Sequence, residues 1–299
     1  MVFDEQTLNH AAPGYREEGL LHVRVVTGST QPAHDHHDML SQPSLASQEP
    51  QDRLAALAAS FLGWQLSMAL YGYLQHIHFA GQPAVENYKA RARALRTQSD
   101  PLQVASTRHP ALHQGILMLL APHDTIDQNA RRHSDQQRGN TDTPGQAFAS
   151  VLQKALATDD THKHSQAIPL GYLDLTVNGE APAGLFSMLD EHVHTIGNKL
   201  LGVPVKLRQA PADYHSTEQG EMDGPPYLVS LRLVARNSEA SLLGNYTTTF
   251  LHAQAVSTWQ AMMEAGRPCF LLVIDGSLDD ALEPLATFFT HVEGYLHHA

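Results

Sequence analysis

This chain of 299 residues predicts an α+β fold, with a mixed or antiparallel sheet covered by helices. Three observations carry that expectation. Several short segments alternate apolar and polar residues with the period of a strand, another short segment is continuously apolar, and several longer ones repeat apolar residues at helical spacing.

In chain order, Leu20–Val26 sets Leu21, Val23 and Val25 against His22 and Arg24 and reads as an N-terminal strand. Ser29–Gln51 then reads as a long loop. Helices are expected over 52–79, 84–97, 110–121 and 146–157, so the N-terminal half is mainly helical. Asp124–Gly145, rich in Asp, Asn, Gln, Arg and Thr, is the best candidate boundary. It divides a part at 1–123 from an α+β part at 146–299, though the two could still form one compact domain.

In the second part, Tyr172–Val177 sets Leu173, Leu175 and Val177 against Asp174 and Thr176, with Asn178-Gly179 as a turn. Phe186, Leu189, Val193, Ile196 and Leu200 mark one face of a helix. Tyr227–Arg236 alternates Val229, Leu231 and Leu233 with Ser230 and Arg232. A short strand is expected at Tyr246–Phe250. The next helix carries Leu251, Ala255, Trp259, Met262 and Met263 and stops at Gly266, with Pro268 beyond. Cys269–Ile274 is apolar throughout and reads as an interior strand. The last helix is expected to open at Asp280, with Glu283 completing a capping box and Pro284 in the first turn.

Alternation in three of the four clearest strands implies one covered sheet face and one wetter face, which favours mixed or antiparallel pairing over a doubly wound parallel sheet. The element order after residue 145 fits a split βαβ, ferredoxin-like unit with an added terminal helix.

The bulk properties exclude several function classes. With 31 acids against 19 bases, the net charge is −12, and nucleic acid is not an expected partner, because that affinity rests on Lys and Arg neutralising phosphates. The single cysteine, Cys269, excludes an intramolecular disulfide and a Cys-rich metal site. Set in an apolar strand with no activating base in view, it reads as a buried structural thiol. The first residues lack a basic region followed by an apolar stretch, so the expectation is a soluble, cytoplasmic protein. Residues 54–79 contain no Asp, Glu, Lys or Arg. Ser60, Gln65, Ser67, Gln75, His76 and His78 interrupt them, as do Gly63 and Gly72, and a buried core helix is expected there rather than a membrane span.

Gly-rich phosphate loops, G-x-S-x-G and H-E-x-x-H are absent. Histidine is abundant instead, at 20 residues, and the sequence pI of about 5.9 lies in its titration range. The pattern H-x-H occurs at His34/His36, His76/His78, His162/His164 and His192/His194. On extended chain, i and i+2 share a side and can share a metal; on a helix they diverge. His192/His194 fall on a helix, with His194 expected on its solvent side beside Glu191 and Asn198, and His76/His78 close one. The other two pairs lie in loops among carboxylates. His34, His36, Asp38, His162 and His164 are therefore the candidate ligands for zinc or non-haem iron, with Asp160 as a proton relay. His109 and His113 are a weaker pair, expected on one helix face. The solvated-loop alternative stands beside the metal reading, because none of these spacings has the specificity of a true zinc signature.

His194-x-x-x-Asn198-Lys-Leu-Leu-Gly202 resembles a helix in the elimination domains of lanthipeptide dehydratases and related thiopeptide enzymes. The likeness spans nine residues, has Lys199 where those domains carry Arg, and lacks their upstream Arg-rich strand. An amphipathic helix ending at Gly202 explains the same residues, and no function is carried over.

Two readings remain. One is a metal-binding protein or metal-dependent enzyme using the His/Asp loops. The other is a non-catalytic α+β binding or accessory protein that self-associates through apolar helices, with no membrane as partner.

Overall fold

The computed structural model describes residues 22–26, 39–43, 49–74, 76, 81, 83–98, 100–121, 143–156, 170–211, 218–224, 228–237 and 247–297. Strands β1 (His22–Val26) and β2 (Met39–Pro43) pair in parallel. The second of them falls within the expected 29–51 loop. Three helices follow: α1 (Pro50–Leu74), α2 (Pro83–Leu95) and α3 (Pro101–Arg108). The last has a complete N-terminus, with Pro101 in the first turn and the Asp100 carboxylate accepting from the Gln103 N–H at 3.0 Å.

The expected 110–121 helix is instead a hairpin of β3 (Ala111–Gln114) and β4 (Leu117–Leu120), turning at Gly115 with φ 56°. A short apolar run such as Leu117–Leu120 suits helix or interior strand equally, and here an open edge of β8 (Cys269–Ile274) takes it as a strand.

The main sheet has six strands in the order β3-β4-β8-β7-β5-β6, where β5 is Tyr172–Asn178, β6 is Val205–Ala210 and β7 is Leu228–Ala235. The fold is thus α+β with a mixed sheet. The four C-terminal strands β6, β5, β7 and β8 all run parallel, unlike the antiparallel pairs of a split βαβ unit. The segment expected as a strand at 246–250 instead enters helix α7 (Thr248–Glu264), capped by the Thr247 hydroxyl oxygen accepting from the Phe250 N–H. The helix ends, as its spacing predicts, at Gly266 with φ 75°.

One face of the sheet is apolar. Leu173, Leu175, Val177, Leu231, Leu233, Phe270 and Leu272 are buried there beneath α4 (Pro144–Leu156), α5 (Ala183–His194) and α8 (Leu282–His297). Phe148 of α4 meets Phe270 edge-on with ring centroids 5.3 Å apart. After α5 the chain makes a π-helical turn over Thr195–Leu201. The wider turn shifts the helical phase, so Leu201 and Asn198 are buried while Leu200 is only half-buried. Asn198 thus departs from the expected solvent side, as does half-buried His194. Gly197 allows this turn to press on β6, since a Cβ there would lie 2.2 Å from Val205 Cγ2.

The capping box of the last helix lies three residues before its expected place. Asp280 N–H donates to Ser277 Oγ at 3.3 Å, and Ser277 N–H donates to Asp280 Oδ2 at 3.2 Å.

Two expectations need larger corrections. The second sheet face, read as the wetter one, is buried beneath α2, α3 and α7. Helix α1, read as core, is exposed along nearly its whole length, with Gly72 its only buried residue among those described.

Candidate functional site

The second sheet face is where the chemistry-bearing side chains gather. Parallel register aligns Lys206, Asp174, Ser230 and Cys269 in one row across β6, β5, β7 and β8, and Arg208, Thr176, Arg232 and Leu271 in the next. Residues two apart on a strand share a face, so both rows point to the same side. The short helix α6 (Glu218–Asp223) closes over them with Glu218 and Glu221 buried.

Its placement is set by polar ties at both ends. Gln219 Oε1 accepts from the N–H groups of Ala84 and Val85, the latter two at the start of α2, at 3.0 and 3.3 Å. Arg267 donates through Nε to the Glu221 carbonyl at 2.9 Å and through Nη2 to the Gly224 carbonyl.

Within the layer, Asp174 Oδ2 accepts from Ser230 Oγ at 2.7 Å and from Thr176 Oγ1 at 3.3 Å, and Arg208 Nη2 lies 3.3 Å from Asp174 Oδ1. Arg208 also donates through Nε to Thr176 Oγ1 at 2.8 Å and through Nη2 to Glu221 Oε2 at 2.8 Å. Lys206 Nζ donates to Glu221 Oε1. Arg232 Nη1 stands 3.7 Å from Glu218 Oε1, at ion-pair rather than hydrogen-bond distance.

Environment drives the two glutamates apart. Burial pushes the Glu218 carboxyl up to about 7, against the opposing pull of the Arg232 and Arg208 guanidiniums and a hydrogen bond from Tyr88. For Glu221 burial also opposes ionisation, but Arg208 and Lys206 outweigh it and hold the carboxyl down at about 2. Burial raises the Tyr172 phenol well above its ordinary value and the Cys269 thiol to about 11.

Split pKa values in one cluster are the mark of acid–base chemistry in many active sites, and structural ion-pair networks produce them too. Access decides between these uses here. Asp174, Glu218, Glu221, Arg208 and Arg232 each expose 4% or less of their surface. These groups present almost no surface to a solute among the described residues, and their bonds tie β5 to β6 and β7 and tie β6 to α6.

A cavity of about 240 Å³ lies beside it, lined by Ala84, Asn87, Met222, Ala261, Glu264 and Ala265. Its one charged member, Glu264, is already bonded by both terminal nitrogens of Arg91.

The candidate metal ligands His34, His36, Asp38, His162 and His164, and the relay Asp160, lie outside the described residues. Among the described residues no group of three or more His, Cys, Asp or Glu is placed to hold a metal. His109 and His113 do not share a helix face. His109 ends α3 with its ring edge-on to Trp259, centroids 4.6 Å apart, and His113 lies exposed on β3. His192 and His194 have separate partners: His192 Nδ1 lies 2.7 Å from Glu293 Oε1, and His194 Nδ1 lies 3.1 Å from Asn198 Oδ1. Cys269 is buried, as its apolar strand predicts.

The charged layer was missed in the sequence because alternate polar residues on a strand ordinarily face water. Its signal was the mixture of signs at alternating positions: Asp174 on one strand, Lys206 and Arg208 on another, Arg232 on a third.

The third notable surface is α1. Leu54 is 73% exposed, Phe61 61%, Leu66 62% and Tyr73 71%. The segment Asp52–Leu74 has the length and composition to cross a membrane; within it an 18-residue stretch has a mean hydropathy of 1.4 and no buried residue.

Comparison with known proteins adds little to this geometry. No family model matches the chain, and no curated protein matches it. Among solved structures, it is similar to the crystal structure of a hypothetical protein, TT0462, from Thermus thermophilus, with a TM-score of 0.39 and 14% identity, over 98% of this chain and 80% of that one.

Proposed function

We propose that this protein is a non-catalytic α+β binding or accessory protein that works through helix α1. The carrying observation is that α1 leaves large apolar side chains, among them Leu54, Phe61, Leu62, Leu66, Leu70 and Leu74, in water. Both faces of the main sheet are meanwhile covered by other helices. Single exposed apolar residues need no explanation, but a contiguous set of this size marks an interaction surface. Removing it from water contributes about 25 cal/mol per Å² of apolar area, so association through α1 is strongly favoured. Self-association of copies is one form of such work.

The reading is tested on the full chain against a Leu62→Glu/Leu66→Glu variant. Both positions are exposed, so far-UV circular dichroism and unfolding midpoint should be unchanged. The wild type should bind a hydrophobic dye and form larger species in sedimentation velocity, and the variant should do neither. Identical behaviour of the two would remove the reading.

A metal-dependent role for His34, His36, Asp38, His162 and His164, with zinc or iron and Asp160 as relay, rests on the sequence pattern alone. Elemental analysis of tag-free protein beside a His34→Ala/His36→Ala variant tests it: near-stoichiometric metal lost in the variant supports it, and metal below about a tenth of an equivalent in the wild type ends it.

A further inference from the structure

We propose that α1 crosses the hydrocarbon core of a lipid bilayer; this deepens, and rests on, the reading of α1 as the working surface. It departs from the expectation of no membrane partner, and four observations favour it.

The first is length. The 25 residues of α1 rise about 37 Å at 1.5 Å each, enough to span a core of about 30 Å with some tilt. The second is charge. Asp52 and Arg53 sit in the first turn, and no Asp, Glu, Lys or Arg follows through Leu74.

The third observation separates a bilayer from a protein partner in water. Leu54, Leu66, Leu74 and Leu57 lie successively about a quarter to a third of a turn apart around the helix axis, and all are exposed. A helix that pairs with a second copy in water needs one apolar stripe and a polar back. Pairing of α1 along any one side would leave leucines on the other side wet, whereas lipid covers every side at once. The same distribution disfavours a helix lying in the membrane surface, which needs a polar face.

The fourth is polar satisfaction. A helix bonds its own backbone, as a bilayer requires. The Ser67 hydroxyl donates to the Gly63 carbonyl at 2.9 Å and carries no unmet hydrogen-bond donor into the apolar phase. Tyr71 and Tyr73 near the C-terminal end suit the bilayer interface, where aromatic rings with a polar tip collect.

The test uses the full chain mixed with phosphatidylcholine vesicles, whose zwitterionic surface minimises electrostatic attraction. Cys269 is buried and leaves a low labelling background, so Leu62→Cys and Leu74→Cys each receive one environment-sensitive fluorophore. The expected result is flotation with the vesicles that survives an alkaline carbonate wash. A quencher deep in the acyl chains should act more strongly on the label at 62, and one near the headgroups more strongly on the label at 74. Leu62→Glu/Leu66→Glu should lower the floated fraction roughly a hundredfold or more, because charge at the centre of a spanning helix is strongly disfavoured.

A protein that stays in the aqueous fraction as a defined oligomer, with the label at 62 shielded whether or not vesicles are present, would overturn the bilayer inference. It would leave α1 standing as the working surface. A monomer with the label at 62 open to water in both conditions would overturn both.

Discussion

Helices α1 and α7 invert the usual relation between composition and burial. Helix α7 carries Thr, His, Gln and Ser among its apolar residues, yet eleven of its 17 residues are buried. Helix α1 has an uncharged, largely apolar run from 54 to 74, and Gly72 is its only buried residue among those described. Topology accounts for the difference. Strands β7 and β8 are parallel neighbours, so the chain between them must cross over the sheet, and α7 lies in that crossover. Several polar groups of α7 are then bonded in place. Trp259 Nε1 donates to the Cys269 carbonyl at 3.0 Å, Thr258 Oγ1 donates to the Gln254 carbonyl at 2.8 Å, and His252 Nε2 lies 2.9 Å from the Ala235 carbonyl. No such crossover fixes α1, which is followed by helices rather than by a strand of the main sheet. Apolar content therefore shows that a helix must leave water and does not show what will cover it.

The sharpest way to break this contrast is a matched pair of truncations. Trp259→Ala in α7 should cost about 3–5 kcal/mol, through the cavity it leaves and the lost bond to Cys269. Leu66→Ala in α1 should change stability by less than about 0.5 kcal/mol in lipid-free buffer. Urea unfolding at constant m-value measures both. A cost for Leu66→Ala near that for Trp259→Ala would show that α1 is core, and the contrast would collapse.

A second expectation concerns the layer that α7 and α6 cover. Glu221→Gln should cost about 3–5 kcal/mol, because it leaves buried Arg208 and half-buried Lys206 beside a neutral partner. A double-mutant cycle with Arg208→Met should show coupling between the two sites; additive effects would mean the buried pair contributes nothing as a pair.

The same layer gives a pH signature that α1 cannot produce. Glu218 is raised from 4.5 to about 7, so the folded state binds its proton more tightly than the unfolded chain does. Its contribution is complete below pH 4.5 and is lost as pH rises through about 7, by about 3 kcal/mol in all. Glu221 is lowered to about 2, so its contribution is present above 4.5 and is lost as pH falls toward 2. Chemical unfolding across pH 4 to 8 should show Glu218→Gln with a flatter profile than wild type between about 4.5 and 7. Parallel profiles would place the Glu218 proton elsewhere.

A smaller loss sharpens the account of how α7 is started. Thr247→Ala removes the acceptor for the Phe250 N–H and should cost about 1 kcal/mol, with Thr247→Ser restoring most of it. A neutral Thr247→Ala would mean that the crossover alone sets the helix start.

Much of the fold was legible residue by residue. Cys269–Ile274 reads as an interior strand because six apolar residues in a row are too short for a buried helix and suit a strand covered on both faces. The stop of α7 at Gly266 follows from the need for a left-handed residue there. The hairpin at 111–120 was not legible, since Leu117–Leu120 becomes a strand only because β8 offers an edge from more than a hundred residues away. The charged layer was half legible: the alternation of Asp174, Thr176, Ser230 and Arg232 was plain, and its meaning was not. Whether such residues meet water or one another depends on which strands become neighbours.

The sequence by itself determined the α+β class, the interior strand, the C-terminal stop of α7 and the acidic balance, because these depend on local periodicity, turn chemistry and composition. Only the tertiary structure decided that the polar face of the sheet is buried, that four strands run parallel, and that the most continuously uncharged helix of the chain stands outside both cores. Those outcomes depend on which surfaces meet, and contacts between segments far apart in the chain leave no periodic trace in either segment alone.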